Sequence, residues 1–342
     1  MKYSLLFGAQ SFEHEISIVS AISVAKKLEN EVAYIFCDTN REFYLIDSKE
    51  LQSITFTNSK YKKYKKLELK NGGFFTKGIF SKKIDFDVCI NLVHGADGED
   101  GKLASMFDFY EIPFVGPRVE GCVLSFSKHL TKLYAKEVGV NVLDYIYTQK
   151  ENTPNIKFDY PVIVKPTKSG SSMGIRVVKS EKELDYAFDT AYEYDTSAIV
   201  EPFIDGVEEY TLAGAKTGDD FEFSMIEKTQ KEGLFDFDQK YLNFSRSDII
   251  KEADLSDDIK NKMKQLFKKI YLNMFEGALI RCDFFVIKNE VYLVEINPIP
   301  GSMSNYLFND FSGVLKRVAS NLPKTKSIKI NYEYINSIRE NK

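Results

Sequence analysis

Apolar and polar positions in the first third of the chain follow two alternating periods. KYSLLFGA, EVAYIFCD and DFDVCINLVHG are apolar runs of strand length, and SIVSAISVAKKL places its apolar residues at helical spacing. Strands joined by helical crossovers pair in parallel. The pattern therefore predicts an α/β unit, with turns at Gly8 and at residues 94–101 on the strand ends where open α/β sheets bind ligands.

Beyond the connecting segment IPFVGPR, the pattern predicts an α+β arrangement. SKHLTKLYAKEV has helical spacing and stops at Gly139. The predicted strands YPVIVKP and IRVVKS enclose the turn TKSGSSMG, and a helix, EKELDYAFDTAYEYD, leads to a strand and connector, SAIVEPFIDG. A long helix near residues 257–275 precedes a last hairpin, LIRCDFFVIKNEVYLVEINPIPG.

The last hairpin carries the strongest chemical signal. With its turn centred on Asn289, Asp283 faces Glu295 and Arg281 faces Asn297, so all four lie on one face of the hairpin. The opposite face takes the apolar neighbours, Cys282, Phe284, Val294 and Ile296. Carboxylate and amide oxygens are the ligands that Mg2+ prefers, and an arginine fork binds a phosphate or an oxyanion. The alternative is an ordinary ladder of cross-strand salt bridges.

A turn of small residues follows the strand that ends near Lys165. Gly170, Ser171, Ser172 and Gly174 would let backbone N–H groups approach phosphates, with Lys165 supplying a positive charge. Neither G-x-x-x-x-G-K-[ST] nor G-x-G-x-x-G is present. A Gly/Ser hairpin without further function is the alternative.

Two N-terminal loops, FGAQSFEHEIS and VHGADGED, place carboxylates at strand ends, where they could bind an ammonium group. Glu13 and Glu15 could equally stabilise the dipole of a following helix, which is the interpretation we favour for Glu15. His14 has no metal partner at ligand spacing. With three histidines in the chain and no Ser-His-Asp or Cys-His set, the sequence gives little support to covalent catalysis.

Composition and charge exclude several classes of protein. The 342 residues are 44% hydrophobic and 28% charged, which is typical of a soluble protein with two or three compact units. A net charge of −4 argues against nucleic-acid binding, and we expect the one basic run to be a solvated surface: Lys62, Lys63, Lys65 and Lys66. No apolar stretch approaches the roughly 20 residues that cross a bilayer, and the N-terminus lacks a small-residue cleavage site. We therefore expect a cytoplasmic protein without a membrane partner.

The four cysteines are far apart and form no C-x-x-C pair, which fits neither a disulfide framework nor a zinc site. We expect them to be reduced packing residues.

Taken in order, SFEHEIS, HGADGEDG, VKPTKSGSSMG, QKYL, IRCDFF and VEINPIPG resemble the motifs of the D-alanine–D-alanine ligases. The resemblance covers roughly Tyr3 to Phe308. It implies an α/β and α+β, three-domain ATP-grasp fold with a Rossmann-like N-terminal domain. The domains would be an N-terminal substrate-binding domain at 1–118, a central subdomain with the phosphate flap at 119–204, and a C-terminal subdomain with the metal site at 205–342.

The resemblance also implies which residues bind the nucleotide and the metals. Lys128 and Lys165 would bind the ATP phosphates, with Ser171 and Ser172 in the flap over them. Glu201, Ile204 and Glu209 would contact the adenosine part, and Lys240 would be a further contact to the nucleotide. For the ribose contact, Glu209 fits the strand context better than Glu208, and the choice stays open. Two Mg2+ or Mn2+ ions would be held by Asp283, Glu295 and Asn297, the oxygen set already deduced from the hairpin.

For substrates and catalysis, the resemblance implies that Glu13 binds the ammonium group of the first D-alanine and joins Ser171 and Tyr241 in closing the active site. His94 would also contact substrate. Arg281 and the Gly301 N–H would stabilise the tetrahedral oxyanion. The acceptor carboxylate would be bound by Lys240 and Tyr306.

Two positions depart from the common family pattern. Ala9-Gln10 stands where many relatives have Gly-Gly, and Tyr306 stands where they have a small hydroxyl residue. Tyr306 moves that hydroxyl outward, which leaves the contact to the acceptor carboxylate open.

Three other activities are compatible with part of these motifs. A D-alanine–D-lactate ligase or another dipeptide-forming enzyme would share the nucleotide and metal residues, but Tyr241 favours an amine acceptor. A nucleotide-binding module without catalysis is disfavoured by intact Asp283, Glu295, Asn297 and Arg281. Relatives are often homodimers, although the sequence does not indicate the oligomeric state.

Overall fold

Three β-sheets organise the chain in the computed structural model. The structure describes residues 1–29, 31–152, 154–229, 251–324 and 328–340. Within these ranges, no helix combines the length and apolar character needed to span a bilayer.

The first sheet has seven strands in the order β5-β4-β3-β2-β1-β6-β7. Their bounds are Tyr3–Gly8 (β1), Val32–Cys37 (β2), Phe43–Ile46 (β3), Lys65–Lys70 (β4), Gly73–Thr76 (β5), Val88–Asn91 (β6) and Phe114–Val115 (β7). The predicted parallel pairing is confirmed for β1 with β2 and β6, and β7 joins β6 in parallel. The alternation did not predict the antiparallel extension through β3, β4 and β5.

Helices cover both faces of this sheet. They are His14–Ala25 (α1), Ser53–Thr57 (α2), Lys102–Phe109 (α3) and Val119–Phe126 (α4), with short 3-10 helices at Ser48–Glu50 and Lys60–Lys63. The basic run lies in the second 3-10 helix and in β4. Its lysines are exposed, as expected, whereas Tyr61 just before them is buried in the core beside Phe36.

The second sheet is antiparallel, with the order β10-β9-β11-β8. Its strands are Ile146–Gln149 (β8), Val162–Pro166 (β9), Arg176–Val178 (β10) and Ser197–Pro202 (β11). Helix Lys128–Glu137 (α5) precedes it, capped by the Ser127 hydroxyl, and helix Leu184–Tyr192 (α6) covers its apolar face after a 3-10 turn at Glu181–Glu183. The predicted hairpin is present, with Arg176 opposite Val164.

The third sheet contains the last hairpin. Its strands are Glu208–Thr217 (β12), Asp220–Phe223 (β13), Glu227–Lys228 (β14), Ile280–Ile287 (β15) and Glu290–Asn297 (β16), in the order β13-β12-β15-β16 with β14 also on β12. Helix Asp257–Tyr271 (α7) packs its apolar side against this sheet.

The predicted pairs Arg281–Asn297 and Asp283–Glu295 are confirmed, but the turn was wrong. Two residues, Lys288 and Asn289, form it, both with positive φ as tight hairpins require. A β-bulge next to Asp283 then shifts the register by one residue. On the side of the bulge away from the turn, the observed pairs therefore coincide with the predicted ones. Consequently Leu293, rather than Val294, lies opposite Phe284 in the core.

The C-terminal part connects the first and third sheets. A 3-10 helix, Gly301–Leu307, packs on α1, and helix Phe311–Ser320 (α8) contacts β7 and β12. Three consecutive residues of the 3-10 helix, Ser302, Met303 and Ser304, have φ near +50°. Such runs are costly for L-residues, so packing must impose this one. A last helix, Glu333–Glu340 (α9), follows.

Candidate active site

Glu13 lies between the first sheet and the turn of small residues in the second. It immediately precedes α1, is 7% exposed, and accepts a hydrogen bond from the Ser171 hydroxyl. Glycines make room for its carboxylate on both sides: a Cβ at Gly170 would lie 2.7 Å from both carboxylate oxygens, and one at Gly95 would lie 2.7 Å from Oε2. The two predicted loops therefore meet at one carboxylate, whereas Glu15 is exposed in the first turn of α1.

The surroundings of Glu13 raise its pKa. Burial is the main cause, and the charge of Glu99 adds to it, which brings the pKa of Glu13 to about 7 although Ser171, His94 and Lys128 act in the opposite direction. Burial and the charge of Glu295 likewise raise the pKa of Glu99 to about 8. Two carboxyl groups close together in a buried site are suited to a cationic ligand, because its charge would lower both pKa values.

His94 is buried next to this carboxylate pair, with its Nδ1 3.7 Å from Oε1 of Glu99. Its Nε2 lies 2.7 Å from the Ser20 hydroxyl, which also accepts the backbone N–H of Ser302 at 2.9 Å. Burial lowers the pKa of His94 to about 4, so the ring is neutral near pH 7. The Ser20 hydroxyl of α1 thereby links His94 to the left-handed turn of the 3-10 helix.

Lys128 is the first residue of α5, and its ammonium group reaches the turn of small residues. Nζ donates to the Ser169 carbonyl, while the Lys128 backbone N–H donates to Thr167 at 3.0 Å. Burial lowers the pKa of Lys128, opposed by the carboxylates of Glu295 and Glu13. Its ammonium group therefore interacts with carboxylates of the loop before α1, of the second sheet and of the third sheet, namely Glu13, Glu201 and Glu295.

Lys165 and Glu201 belong to one buried ion cluster. Nζ of Lys165 lies 2.6 Å from Glu201 Oε2, and the ammonium of Lys132 binds Oε1 of the same carboxylate. Burial alone would raise the pKa of Glu201, but Lys165 and Lys132 outweigh it and lower the pKa to about 2. The carboxylate is thus ionised between two lysines.

Asp283 is the centre of the hairpin face. It is 3% exposed, and its oxygens accept hydrogen bonds from Arg281 at 2.9 and 3.0 Å, from Thr211 at 2.9 Å and from Asn297 at 3.0 Å. Asp283 lies directly opposite Glu295 on one side and Thr211 on the other. The predicted shared face is therefore present, whereas the ion pair of Arg281 with Asp283 lies within β15 and is not a cross-strand salt bridge.

The hairpin face fits a magnesium site by its chemistry. The described residues contain no cluster of three or more His, Cys, Asp or Glu side chains arranged to hold a metal. Mg2+ does not need one, because it commonly binds one or two carboxylates and completes its shell with waters and phosphate oxygens. Asp283 and Glu295 supply such carboxylates, and Asn297 adds an amide oxygen.

Tyr306 lies at the end of the same cross-strand row. Thr211 is opposite Glu227 in β14, so that Glu227, Thr211, Asp283 and Glu295 follow one another across four strands. The Tyr306 hydroxyl hydrogen-bonds to Glu227, and burial is the main cause that raises the pKa of both groups. The departure from the family pattern at Tyr306 is thereby matched by a carboxylate partner within the site.

The adenosine candidates flank the connector after β11. Ile204 is partly buried just beyond that strand. Glu209 occupies the face of β12 that also carries Thr211, whereas the Glu208 carboxylate accepts from Tyr210 at 2.8 Å and pairs with Lys228.

Ser172 follows Ser171 in the turn, and both have positive φ. Gly301 begins the 3-10 helix. Lys240 and Tyr241 lie outside the described residues.

Three charged residues of the site were not predicted. Glu99 stands in the loop already noted for its carboxylates, and Lys132 follows Lys128 by one helical turn on a buried face, a spacing that could have indicated it. Glu227 gives no such signal, because β14 has only two residues. The four cysteines are free and buried, as expected.

Two family models match the chain: the D-ala D-ala ligase N-terminus over residues 2–117 and the D-ala D-ala ligase C-terminus over residues 134–313. The D-alanine–D-alanine ligase of a Nitratiruptor species is 54% identical over 343 residues, with 100% of both chains covered. The crystal structure of D-alanine–D-alanine ligase from Helicobacter pylori is 48% identical with a TM-score of 0.86, and the match covers 95% of this chain and 100% of that one.

The VanG D-Ala:D-Ser ligase of Enterococcus faecalis is more distant. It is 24% identical with a TM-score of 0.75, over 93% of this chain and 98% of that one, which shows a shared fold alone. The predicted mixed α/β and α+β, ATP-grasp architecture is confirmed. From the site geometry, the two family models and a full-length relative at 54% identity, the chain belongs to the D-alanine–D-alanine ligase family.

Proposed function

We propose that this enzyme joins two molecules of D-alanine, converting ATP to ADP and phosphate through a D-alanyl phosphate intermediate, and so supplies a precursor for peptidoglycan synthesis. One observation carries the proposal. Glu13, a buried carboxylate for an ammonium group, accepts a hydrogen bond from Ser171 of the phosphate turn, and Lys128, whose ammonium group bonds the same turn, interacts with Glu295 of the hairpin. The residues proposed to bind the amino acid, the phosphates and the metal ions therefore lie next to one another.

ATP binds between the second and third sheets. Lys128 and Lys165 neutralise its phosphates, and Ser171 and Ser172 cover them through backbone N–H groups. Lys240 stays in the proposal as a further nucleotide and acceptor contact from outside the described residues. The hydrogen bond from the Lys128 ammonium to the Ser169 carbonyl supports this role, because it places a positive charge against the flap.

The adenosine part lies along the connector. Glu201 opens this connector; the Pro202 carbonyl accepts from the adenine amino group, and the Ile204 N–H donates to the ring. Glu209 binds the ribose hydroxyls. Its place on the Thr211 face of β12, and the engagement of Glu208 by Lys228, support Glu209 over Glu208.

Asp283, Glu295 and Asn297 would hold two Mg2+ or Mn2+ ions, which supply charge neutralisation on the transferring phosphoryl group. The fit rests on two facing carboxylates and an amide from adjacent strands. Arg281, held by its ion pair with Asp283, keeps its guanidinium at the edge of this site.

In the first step, Glu13 binds the ammonium group of the donor D-alanine, with His94 next to it, and the donor carboxylate attacks the γ-phosphorus of ATP. ADP leaves and D-alanyl phosphate remains. The lysines stabilise the charge that moves onto the leaving oxygen. Ser171 ties the flap to Glu13 and thereby excludes water from the reactive acyl-phosphate.

In the second step, the amine of the acceptor D-alanine attacks the acyl carbon. Arg281 and the Gly301 N–H stabilise the oxyanion of the tetrahedral intermediate, which collapses with loss of phosphate. Lys240 and Tyr306 bind the acceptor carboxylate. Tyr241 completes the closure with Glu13 and Ser171 and marks an amine acceptor.

The enzyme works in the cytoplasm as a homodimer, with ATP and D-alanine as its small-molecule partners. Its domains are residues 1–118, 119–204 and 205–342. The connector after β11 supports the second boundary, because it separates the second sheet from the third.

A D-alanine–D-lactate ligase is the second candidate, and phosphate release from Mg-ATP distinguishes the two. D-alanine, L-alanine and D-lactate are tested separately and in pairs. We expect release with D-alanine alone, and no increase when D-lactate is added. Release only with L-amino acids would refute the substrate assignment. Glu295→Gln should abolish release while Mg-ATP still binds, and an unaffected rate would exclude Glu295 as a metal ligand.

A further inference from the structure

Lys132 is a buried lysine that the proposed reaction does not use. It is 2% exposed and lies one helical turn after Lys128 in α5. Its ammonium group binds Oε1 of Glu201, lies 3.3 Å from the Leu143 carbonyl and is 5.3 Å from the centre of the Tyr145 ring. These contacts hold it beside Glu201.

Glu201 has a second lysine partner. Its Oε2 lies 2.6 Å from Nζ of Lys165, the residue at the phosphate site, whose side chain is 14% exposed. Glu201 is itself 3% exposed, so water does not screen these charges effectively. Two lysines and one carboxylate give the cluster a net charge of +1.

We propose that Lys132 is a positioning residue for the nucleotide, which balances the charge of Glu201 so that Lys165 keeps its positive charge for the phosphates. This inference rests on the proposed function of Lys165. Without Lys132, Glu201 and Lys165 would form a neutral pair, and Lys165 would have to leave a buried carboxylate uncompensated in order to contact ATP. Buried charges left without a partner are strongly disfavoured.

The charge count predicts an order among variants. Lys132→Met gives a cluster of net charge 0, whereas Lys132→Met combined with Glu201→Gln returns it to +1. Nucleotide affinity should therefore fall in the single variant and recover in the double variant. A role of Lys132 in packing alone predicts no recovery, because the second substitution removes a further contact from the same site.

The test is calorimetric binding of Mg-ATP, together with the KM for ATP and kcat of dipeptide synthesis. Lys132→Met should weaken Mg-ATP binding and raise this KM by about tenfold, as expected for one buried unit charge near the phosphates, with a smaller loss in kcat. Lys132→Arg should retain most of the affinity. The double variant should bind at least about threefold more tightly than Lys132→Met.

Lys136→Met is the matched control. Lys136 is exposed one turn further along α5, and its ammonium group lies 5.5 Å from the same Tyr145 ring, so the substitution removes a similar lysine without changing the Glu201 cluster. It should leave Mg-ATP affinity within about twofold of the unmodified chain. Thermal unfolding of every variant shows whether it is folded.

Equal Mg-ATP affinity in Lys132→Met and Lys136→Met would overturn the inference, as would a double variant no tighter than Lys132→Met. If Lys132→Met does not fold, Lys132→Gln is measured with and without Glu201→Gln. The same loss of Mg-ATP affinity in the single variant and recovery in the double variant is then expected. The proposed function fails separately, when the unmodified chain forms no dipeptide from D-alanine. Binding of Mg-ATP is measured without amino acids, so it tests the role of Lys132 whether or not the unmodified chain forms the dipeptide.

Discussion

The Ser171 hydroxyl donates a hydrogen bond to the Glu13 carboxylate, and this contact joins residues 158 positions apart. It fastens the turn of the second sheet onto the start of α1 beside the first. Phe12, next to Glu13, makes an edge contact with the ring of Tyr194 in the same region. The turn is therefore closed over the N-terminal loop, and four substitutions test what this closed site does.

Gly170→Ala should impair donor binding while the fold is kept. The added Cβ would lie 2.7 Å from both Glu13 oxygens, so the carboxylate or the turn must move, whereas the backbone at Gly170 needs no positive φ. We expect kcat/KM for D-alanine to fall by about tenfold, which corresponds to about 1.4 kcal/mol. Lys168→Ala, at an exposed position of the same turn, is the control. Steady-state kinetics that do not differ between the two would contradict the close packing.

The pH profile should report the Glu13 carboxylate. Its pKa is raised to about 7 by burial and by Glu99, and the ionised form is the one that binds an ammonium group. The value of kcat/KM for D-alanine should therefore decrease as the pH falls below about 7, because protonation removes the charge. Ser171→Ala removes a hydrogen bond that favours the ionised form of Glu13 and should move this decrease to higher pH. A decrease that stays at the same pH in Ser171→Ala would exclude Glu13 as its source.

Asp283→Asn should weaken metal binding more than nucleotide binding. The substitution removes a ligand charge and the bidentate partner of Arg281. We expect the Mg2+ concentration for half-maximal activity to rise by about tenfold or more. Thr211→Val removes one hydrogen bond to Asp283 but keeps the carboxylate, so a smaller rise is expected there. Titration of activity with MgCl2 at fixed ATP compares them, and an unchanged Mg2+ requirement in Asp283→Asn would argue against this site.

Tyr306→Phe should affect the acceptor subsite. It removes the hydroxyl that bonds Glu227, and a partly buried carboxylate that loses a donor costs about 1 to 3 kcal/mol. We expect the KM for the acceptor D-alanine to rise severalfold, with the donor KM within about twofold of its original value. Tyr334→Phe, at an exposed tyrosine, is the control. Equal changes in both KM values would place Tyr306 outside the acceptor subsite.

The sequence was most informative where one local rule decided the structure. Period-two alternation put Arg281, Asp283, Glu295 and Asn297 on one face, and that prediction was confirmed. The prediction centred the turn on Asn289 alone, because alternation does not reveal the extra residue that a β-bulge adds. The bulge shifts the register by one residue and thereby restores the predicted pairs at Asp283 and Arg281. Here a correct pairing followed from an incorrect turn.

Contacts between distant segments were beyond the reach of such rules. The Lys132–Glu201 pair joins a helix to a strand of the second sheet, and Glu227 reaches the site through a strand of two residues. Neither has a periodic signature. The antiparallel strands β3 to β5 were missed because β3 and β5 have only four residues each and lysines interrupt the alternation of β4. These contacts and strands depend on burial and charge pairing between segments that are distant in the sequence.

The most direct test of acyl-phosphate ligation uses D-alanine labelled with 18O in its carboxylate. The donor carboxylate oxygen attacks the γ-phosphorus and leaves with phosphate when the acceptor amine attacks, so each dipeptide formed should release one phosphate that carries one 18O atom. Mass spectrometry of the phosphate and of D-alanyl-D-alanine measures both. Phosphate without 18O, or phosphate released without the dipeptide, would contradict the proposed reaction.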